Sequence, residues 1–148
     1  MNPKVRQRIL RMNAFFLGGF GGFGLGVLDI PAACCTVGAG ASVIRNAPYS
    51  VIGLIEARGL AIIMAALFLH ASCAIPGRSW HVAAAAVHTL LGIANVTFWD
   101  IFVTGDVVWL GWLVTPLHFL FVLAEAAAAL RTAPTRRAAH PFTNLWRA

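Results

Sequence analysis

Four apolar blocks alternate with short polar gaps along this chain: Asn13 to Cys35, Val51 to Ile75, Trp80 to Thr104 and Val108 to Leu130. Each has roughly the 20 residues that an α-helix needs to cross a ~30 Å hydrocarbon core. The gaps carry turn chemistry: Gly38, Gly40, Asn46 and Pro48 in the stretch from Val37 to Ser50, then Pro76-Gly77-Arg78, then Gly105-Asp106. The pattern predicts an all-α fold, a four-helix transmembrane bundle forming a single integral membrane domain over residues 1–148. Met1 to Arg11 reads as a basic arm that lays Val5, Ile9 and Leu10 against the membrane surface. Residues 131–148 read as a basic tail with Phe142 and Trp146 as interfacial anchors.

Polar side chains inside such blocks are costly unless they meet one another or water. Here they fall on helical stripes. His81, His88 and Asn95 recur at i, i+7 and i+14 in the third block, and Glu56, Ile63 and His70 do so in the second. Thr115, His118, Val122 and Glu125 follow i, i+3, i+7 and i+10 in the fourth. Convergence of the three stripes would give the bundle an ionisable interior. Counting inward from the turns places Asp29, Glu56, Arg58, Asp100 and His118 in the outer half, His70, His88 and Glu125 in the inner half, and Asn95 between them. The first block adds Gly18, Gly22 and Gly26, a double GxxxG whose small face admits another helix closely. No strand precedes these glycines and no Lys-Ser/Thr signature follows, so they are not a nucleotide loop.

Composition agrees with hydrocarbon as the surroundings. The 148 residues are 59% hydrophobic and 11% charged, whereas a soluble domain carries about a quarter charged residues. A net charge of +6 raises nucleic acid as a partner, but its distribution argues against that. Lys4, Arg6, Arg8 and Arg11 precede the first block, Arg131, Arg136, Arg137 and Arg147 follow the last, and Arg78 occupies a turn, nine of the eleven basic residues. With four crossings all nine fall on one side, which the positive-inside rule makes the cytoplasm, so both termini are expected there. The expected location is the cell membrane, as a multi-pass protein of a bacterial inner membrane. The first block runs on too far to be a cleaved signal and is read as a retained helix. Cys34, Cys35 and Cys73 make no disulfide framework. The vicinal pair resembles, slightly, the thiols of bacterial mercury-uptake membrane proteins, but burial as small apolar residues is the expectation.

Glu56 and Arg58 are two apart and cannot pair along one helix. Arg58 therefore needs Asp29 or Asp100, unless it reaches the outer headgroups. Glu56 then faces His118 or stays protonated by burial. Asp29, Glu56, Arg58, Asn95, Asp100 and His118 are the candidate ligand-binding set; the competing reading is an ion-pair network that fixes helix register. His70 and His88 on facing helices, with Glu125 nearby, are the only candidates for a haem or metal. No His-x-x-x-His or Glu-x-x-His spacing supports them, so no metal centre is predicted. Pro116 frees the Trp112 carbonyl one turn earlier, close to His118. No catalytic residue is assigned.

Gly53-Leu-Ile-Glu56-Ala-Arg-Gly59, followed by an apolar half-helix and the turn Pro76-Gly77-Arg78, resembles the second helix of DoxX-like membrane proteins. The glycine-rich first block and the layout agree with that family, while Arg58 and the His-Asn-Trp-Asp content of the third block depart from it. The resemblance covers about a sixth of the chain and transfers only Glu56 and Gly59. It implies a four-helix bundle associated with quinone-linked or thiol-linked oxidoreductase complexes. The expected function is binding of a small amphiphile, a quinone or lipid, or service as a membrane subunit of such a complex, with quinone or haem as the cofactors to consider. A proton, metal or small-solute transporter using Glu56, His118, His88, His70 and Glu125 is the alternative. A structural helper that docks onto other membrane subunits, or a homo-oligomer, through Gly18, Gly22 and Gly26 is the third. The lipid bilayer is the partner common to all.

Overall fold

The computed structural model describes residues 1–38, 40–46 and 48–132. The expected anchors Phe142 and Trp146, and Arg136, Arg137 and Arg147, lie outside them. Among the described residues all the regular secondary structure is helical. Helix α1 (Pro3–Phe23) continues through a π-helical turn, Gly24–Asp29, into α2 (Ile30–Cys35). A short α3 (Ala41–Asn46) leads to α4 (Ser50–Ala71), α5 (Arg78–Thr97), a short α6 (Asp100–Thr104) and α7 (Val108–Leu130).

Among the described residues three helices are long and apolar enough to cross a membrane: Pro3–Cys35, Val51–Ala71 and Val108–Leu130. Large apolar side chains cover their outer faces, among them Phe15, Leu60, Ile63, Leu120 and Leu123. Water is a poor solvent for that surface, and hydrocarbon a good one. The chain is thus a membrane protein by the length and character of its helices. Helix α5 is not among the three. The sequence reading expected an unbroken span from Trp80 to Thr104, but the helix ends at Thr97. Phe98 leaves helical geometry (φ −107°, ψ 39°), and α6 restarts at Asp100. Arg78 and the three residues of the polar stripe, His81, His88 and Asn95, dilute the apolar character of α5.

The local signals for the first helix are clear. Asn2 caps it by accepting from the Lys4 N–H at 2.9 Å, and Pro3 suits its first turn. The basic arm is not a separate segment ahead of the first span. It forms the first turns of α1, which pack on the turn between α4 and α5. Leu10 is fully buried with Leu17, Ala65, Phe68 and Ala84, and the Arg6 guanidinium donates to the Pro76 carbonyl. Gln7 donates to the Ala74 carbonyl at 2.9 Å, and Arg11 to the Ser72 carbonyl at 3.4 Å. The α1 N-terminus and the Pro76 turn therefore share one end of the bundle. Opposite them, Thr36 adopts a left-handed φ of 54° and stops α2. Gly40 lets the following segment fold back, since a Cβ there would sit 2.7 Å from the Leu28 carbonyl oxygen.

The main helices form two antiparallel pairs, α1 with α4 and α5 with α7, and contacts within each pair far exceed those between pairs. In the first pair a Cβ added at Gly18 would touch Ala65 Cβ at 3.3 Å, and one at Gly21 would lie 3.2 Å from Ile62 and 3.3 Å from the Arg58 carbonyl oxygen. The tight face is thus Gly18-Gly21-Gly24, at threefold spacing, and not the expected Gly18-Gly22-Gly26. Gly22 and Gly26 meet nothing within 4 Å. The register follows α4, whose Ala61, Ile62 and Ala65 set which glycines face it.

Candidate functional site

The polar stripe of α5 meets that of α7 residue by residue. His81 Nδ1 lies 2.5 Å from Glu125 Oε2, and His88 Nδ1 lies 2.7 Å from His118 Nδ1. Residues seven apart on one helix thus pair with residues seven apart on the other, the register of two antiparallel helices. Asn13 of α1 joins the inner pair, donating to Glu125 Oε1 at 3.0 Å. All of His81, His88, Asn13 and Glu125 are fully buried. Gly92, between His88 and Asn95, admits α7 closely: a Cβ there would sit 3.4 Å from that of His118.

Aromatic rings enclose the histidine pair. His88 stacks on Phe121 with centroids 4.9 Å apart and planes 13° from parallel, and Phe16 meets His118 edge-on at 5.3 Å. On the side of this cluster away from the α1 N-terminus a cavity of about 230 Å³ opens between the two helix pairs. Its wall is mostly apolar, with Phe16, Phe20, Leu54, Leu91, Phe98 and Leu110 among the lining side chains, and Arg58, Asn95 and His118 supply its polar groups. Asn95 makes no hydrogen bond to another described residue.

Arg58 stands at the end of the cavity nearer Asp29. Its Nε donates to Asp29 Oδ2 at 3.3 Å, which settles the choice between Asp29 and Asp100. Burial of the two is unequal: the Asp29 side chain is 5% exposed and that of Arg58 31%. Asp29 is the last residue of the π-helical turn. Arg58 passes Gly24, the first residue of that turn, where an added Cβ would fall 2.4 Å from Nε and push the guanidinium aside. A second, smaller cavity of about 50 Å³, which Asp29 and Arg58 both line, lies beside the pair.

Of the candidate ligand-binding residues, Arg58, Asn95 and His118 come together at the cavity, with Asp29 behind Arg58. Two do not. Glu56 is exposed on α4, and Asp100 is exposed at the start of α6. The expected approach of Glu56 to His118 is absent because the whole α4 stripe, Glu56, Ile63 and His70, faces outward. Only two of the three stripes converge. His70 accordingly stands apart from His88, which pairs with His118 instead, and Glu125 belongs to His81 and Asn13. Counting from the turns had put His88 and His118 in opposite halves, whereas both sit near the middle.

Among the described residues no three His, Cys, Asp or Glu side chains are grouped to hold a metal ion. A haem between two histidines needs a flat macrocycle separating them. His88 and His118 instead bond directly to each other, so they do not fit one. Cys34, Cys35 and Cys73 are free and exposed, for the vicinal pair against the expectation of burial. The sequence reading missed Asn13, Phe16 and Phe121; only Asn13 gave a signal, as a lone amide beginning an apolar block. Comparison with models of protein families, with curated proteins and with solved structures returned no match.

Proposed function

We propose that this protein spans the cell membrane four times, with both termini cytoplasmic, and holds a small amphiphile, a quinone or a lipid, between its two helix pairs. The observation that carries the reading is the cavity of about 230 Å³: apolar over most of its wall, with Arg58, Asn95 and His118 set at a few points. A mostly apolar cavity with few convergent polar groups is the usual form of a small-molecule site. Its wall suits a ring or acyl chain, and its polar groups suit a headgroup. The resemblance of Gly53-x-x-Glu56-x-x-Gly59 to DoxX-like proteins points the same way, towards a membrane subunit of an oxidoreductase complex. The open Gly22 and Gly26 leave α1 a face for such a neighbour or for a second copy.

Titration of the purified protein in detergent with a short-tailed quinone tests the reading. Saturable binding is expected, weakened about tenfold by Asn95→Leu, the equivalent of one good hydrogen bond. Absence of saturable binding by quinones and by extracted membrane lipids would refute it. Orientation is tested by single cysteines at Ser42, Gly77 and Asp106 in a background without Cys34, Cys35 and Cys73. Gly77→Cys should resist an impermeant external reagent while the other two react.

A transporter is the second reading, favoured by the succession of buried groups from the cavity inward: His118, His88, then Glu125 with His81. Glu56 and His70, on the exposed face of α4, take no part in it. Proton flux into proteoliposomes that is abolished by His118→Phe would establish this reading in place of the first.

A further inference from the structure

The geometry points to His88 as a positioning residue that fixes the tautomer of His118, so that the cavity presents an N–H donor and selects amphiphiles whose headgroups bring an acceptor oxygen. The ligand half of this inference rests on the amphiphile reading above; the tautomer half rests on the histidine pair alone.

Two imidazoles joined Nδ1 to Nδ1 at 2.7 Å share one hydrogen between them. Both are neutral, because a buried imidazolium needs a counter-charge. The nearest carboxylate on the facing stripe, Glu125, is taken by His81 and Asn13, and the other neighbours are the Phe16 and Phe121 rings. A neutral imidazole carries one hydrogen, so only two arrangements exist. If His118 donates through Nδ1, its Nε2 is bare and His88 must carry its own hydrogen on Nε2. If His88 donates through Nδ1, its Nε2 is bare and His118 carries a hydrogen on Nε2.

The surroundings of His88 decide between them. Its Nε2 is buried and has no hydrogen-bond partner among the described residues. An orphaned buried N–H is the rarer and costlier outcome, whereas an under-used acceptor is better tolerated. The second arrangement avoids the orphaned donor. His118, which lines the cavity, then meets an occupant with an Nε2–H. Arg58 adds only N–H donors, and the Asn95 amide serves in either sense. Donors therefore predominate, which matches a quinone carbonyl or a lipid ester and disfavours a bare hydrocarbon.

Nitrogen-15 NMR of histidine-labelled protein in lipid nanodiscs reads the tautomers directly, without substitution. His88 should show a protonated Nδ1 and a bare Nε2, and His118 the reverse; a bare Nε2 on His118 overturns the inference. Binding is then compared for an alkyl naphthoquinone, a fatty ester and an alkyl naphthalene with the same tail. The quinone or the ester should bind at least about tenfold more tightly than the hydrocarbon, and whichever does so names the source of the acceptor oxygen. In His88→Leu, where nothing holds the His118 tautomer, that preference should shrink. Equal binding of all three overturns the inference while leaving the amphiphile reading intact. Binding of none refutes the amphiphile reading and the ligand half with it, and the NMR result still decides the tautomer half.

Discussion

Where α1 meets α4 the backbones approach through Gly18 and Gly21 against Ala61, Ile62 and Ala65, whereas α5 meets α7 through His81, His88, His118 and Glu125. Both pairs are antiparallel and both are close, yet one seam is dry and the other is a row of buried hydrogen bonds. The dry seam shows what holding two helices together in lipid requires: small residues and close backbone packing. The polar seam carries groups that packing alone does not call for and that are expensive in hydrocarbon. It also leads into the cavity, where Asn95 and His118 continue the same two stripes. The two pairs are thus held by different means, the first by close packing of small residues and the second by buried polar partners that also reach the cavity.

The largest break in that comparison should come from Glu125. Glu125→Leu strands His81 and Asn13, and loss of one partner of a buried pair costs about 3–5 kcal/mol. Thermal unfolding in detergent should show a sharp drop, and His81→Leu in the same chain should restore part of it. Next comes the dry seam: Gly21→Leu has to displace Ile62 and the Arg58 backbone, an overpacking cost of about 1–3 kcal/mol. Gly22→Leu, one residue on and in open space, should leave melting unchanged; a matching loss would restore the fourfold GxxxG as the packing face. Arg58→Ala removes a charged hydrogen bond from the buried Asp29, about 1.5–3 kcal/mol, less than a fully buried pair because Arg58 is itself partly exposed. Asp29→Asn should recover part of that loss. Glu56→Gln should have the smallest effect, under about 0.5 kcal/mol as for other surface changes, and should leave quinone binding unaltered.

Much of the fold was legible because helical periodicity and turn chemistry are local. The turn at Pro76-Gly77, the start of the last helix at Val108 and the polar stripes of α5 and α7 follow from spacing alone. Which way a stripe faces is not local. The α4 stripe of Glu56 and His70 has the same periodicity as that of His81 and His88, but α4 turns Ala61, Ile62 and Ala65 to α1, and that forces Glu56 and His70 outward. The choice of Asp29 for Arg58 was equally hidden, since the two are 29 residues apart and only the packing of α4 against the start of the π-helical turn at Gly24 brings them together. Pairing of His88 with His118 was within reach of the sequence, because each lies close to the middle of its helix; dividing the membrane into halves concealed it.

The most direct test of the account is the lipid that accompanies the protein. Protein extracted in native-lipid particles should carry one quinone or lipid species enriched over the surrounding membrane. Ala94→Trp, which fills the cavity from α5, should abolish that enrichment without unfolding the chain. An extract that matches the bulk membrane in both proteins would contradict the central claim that the cavity between the helix pairs is a binding site.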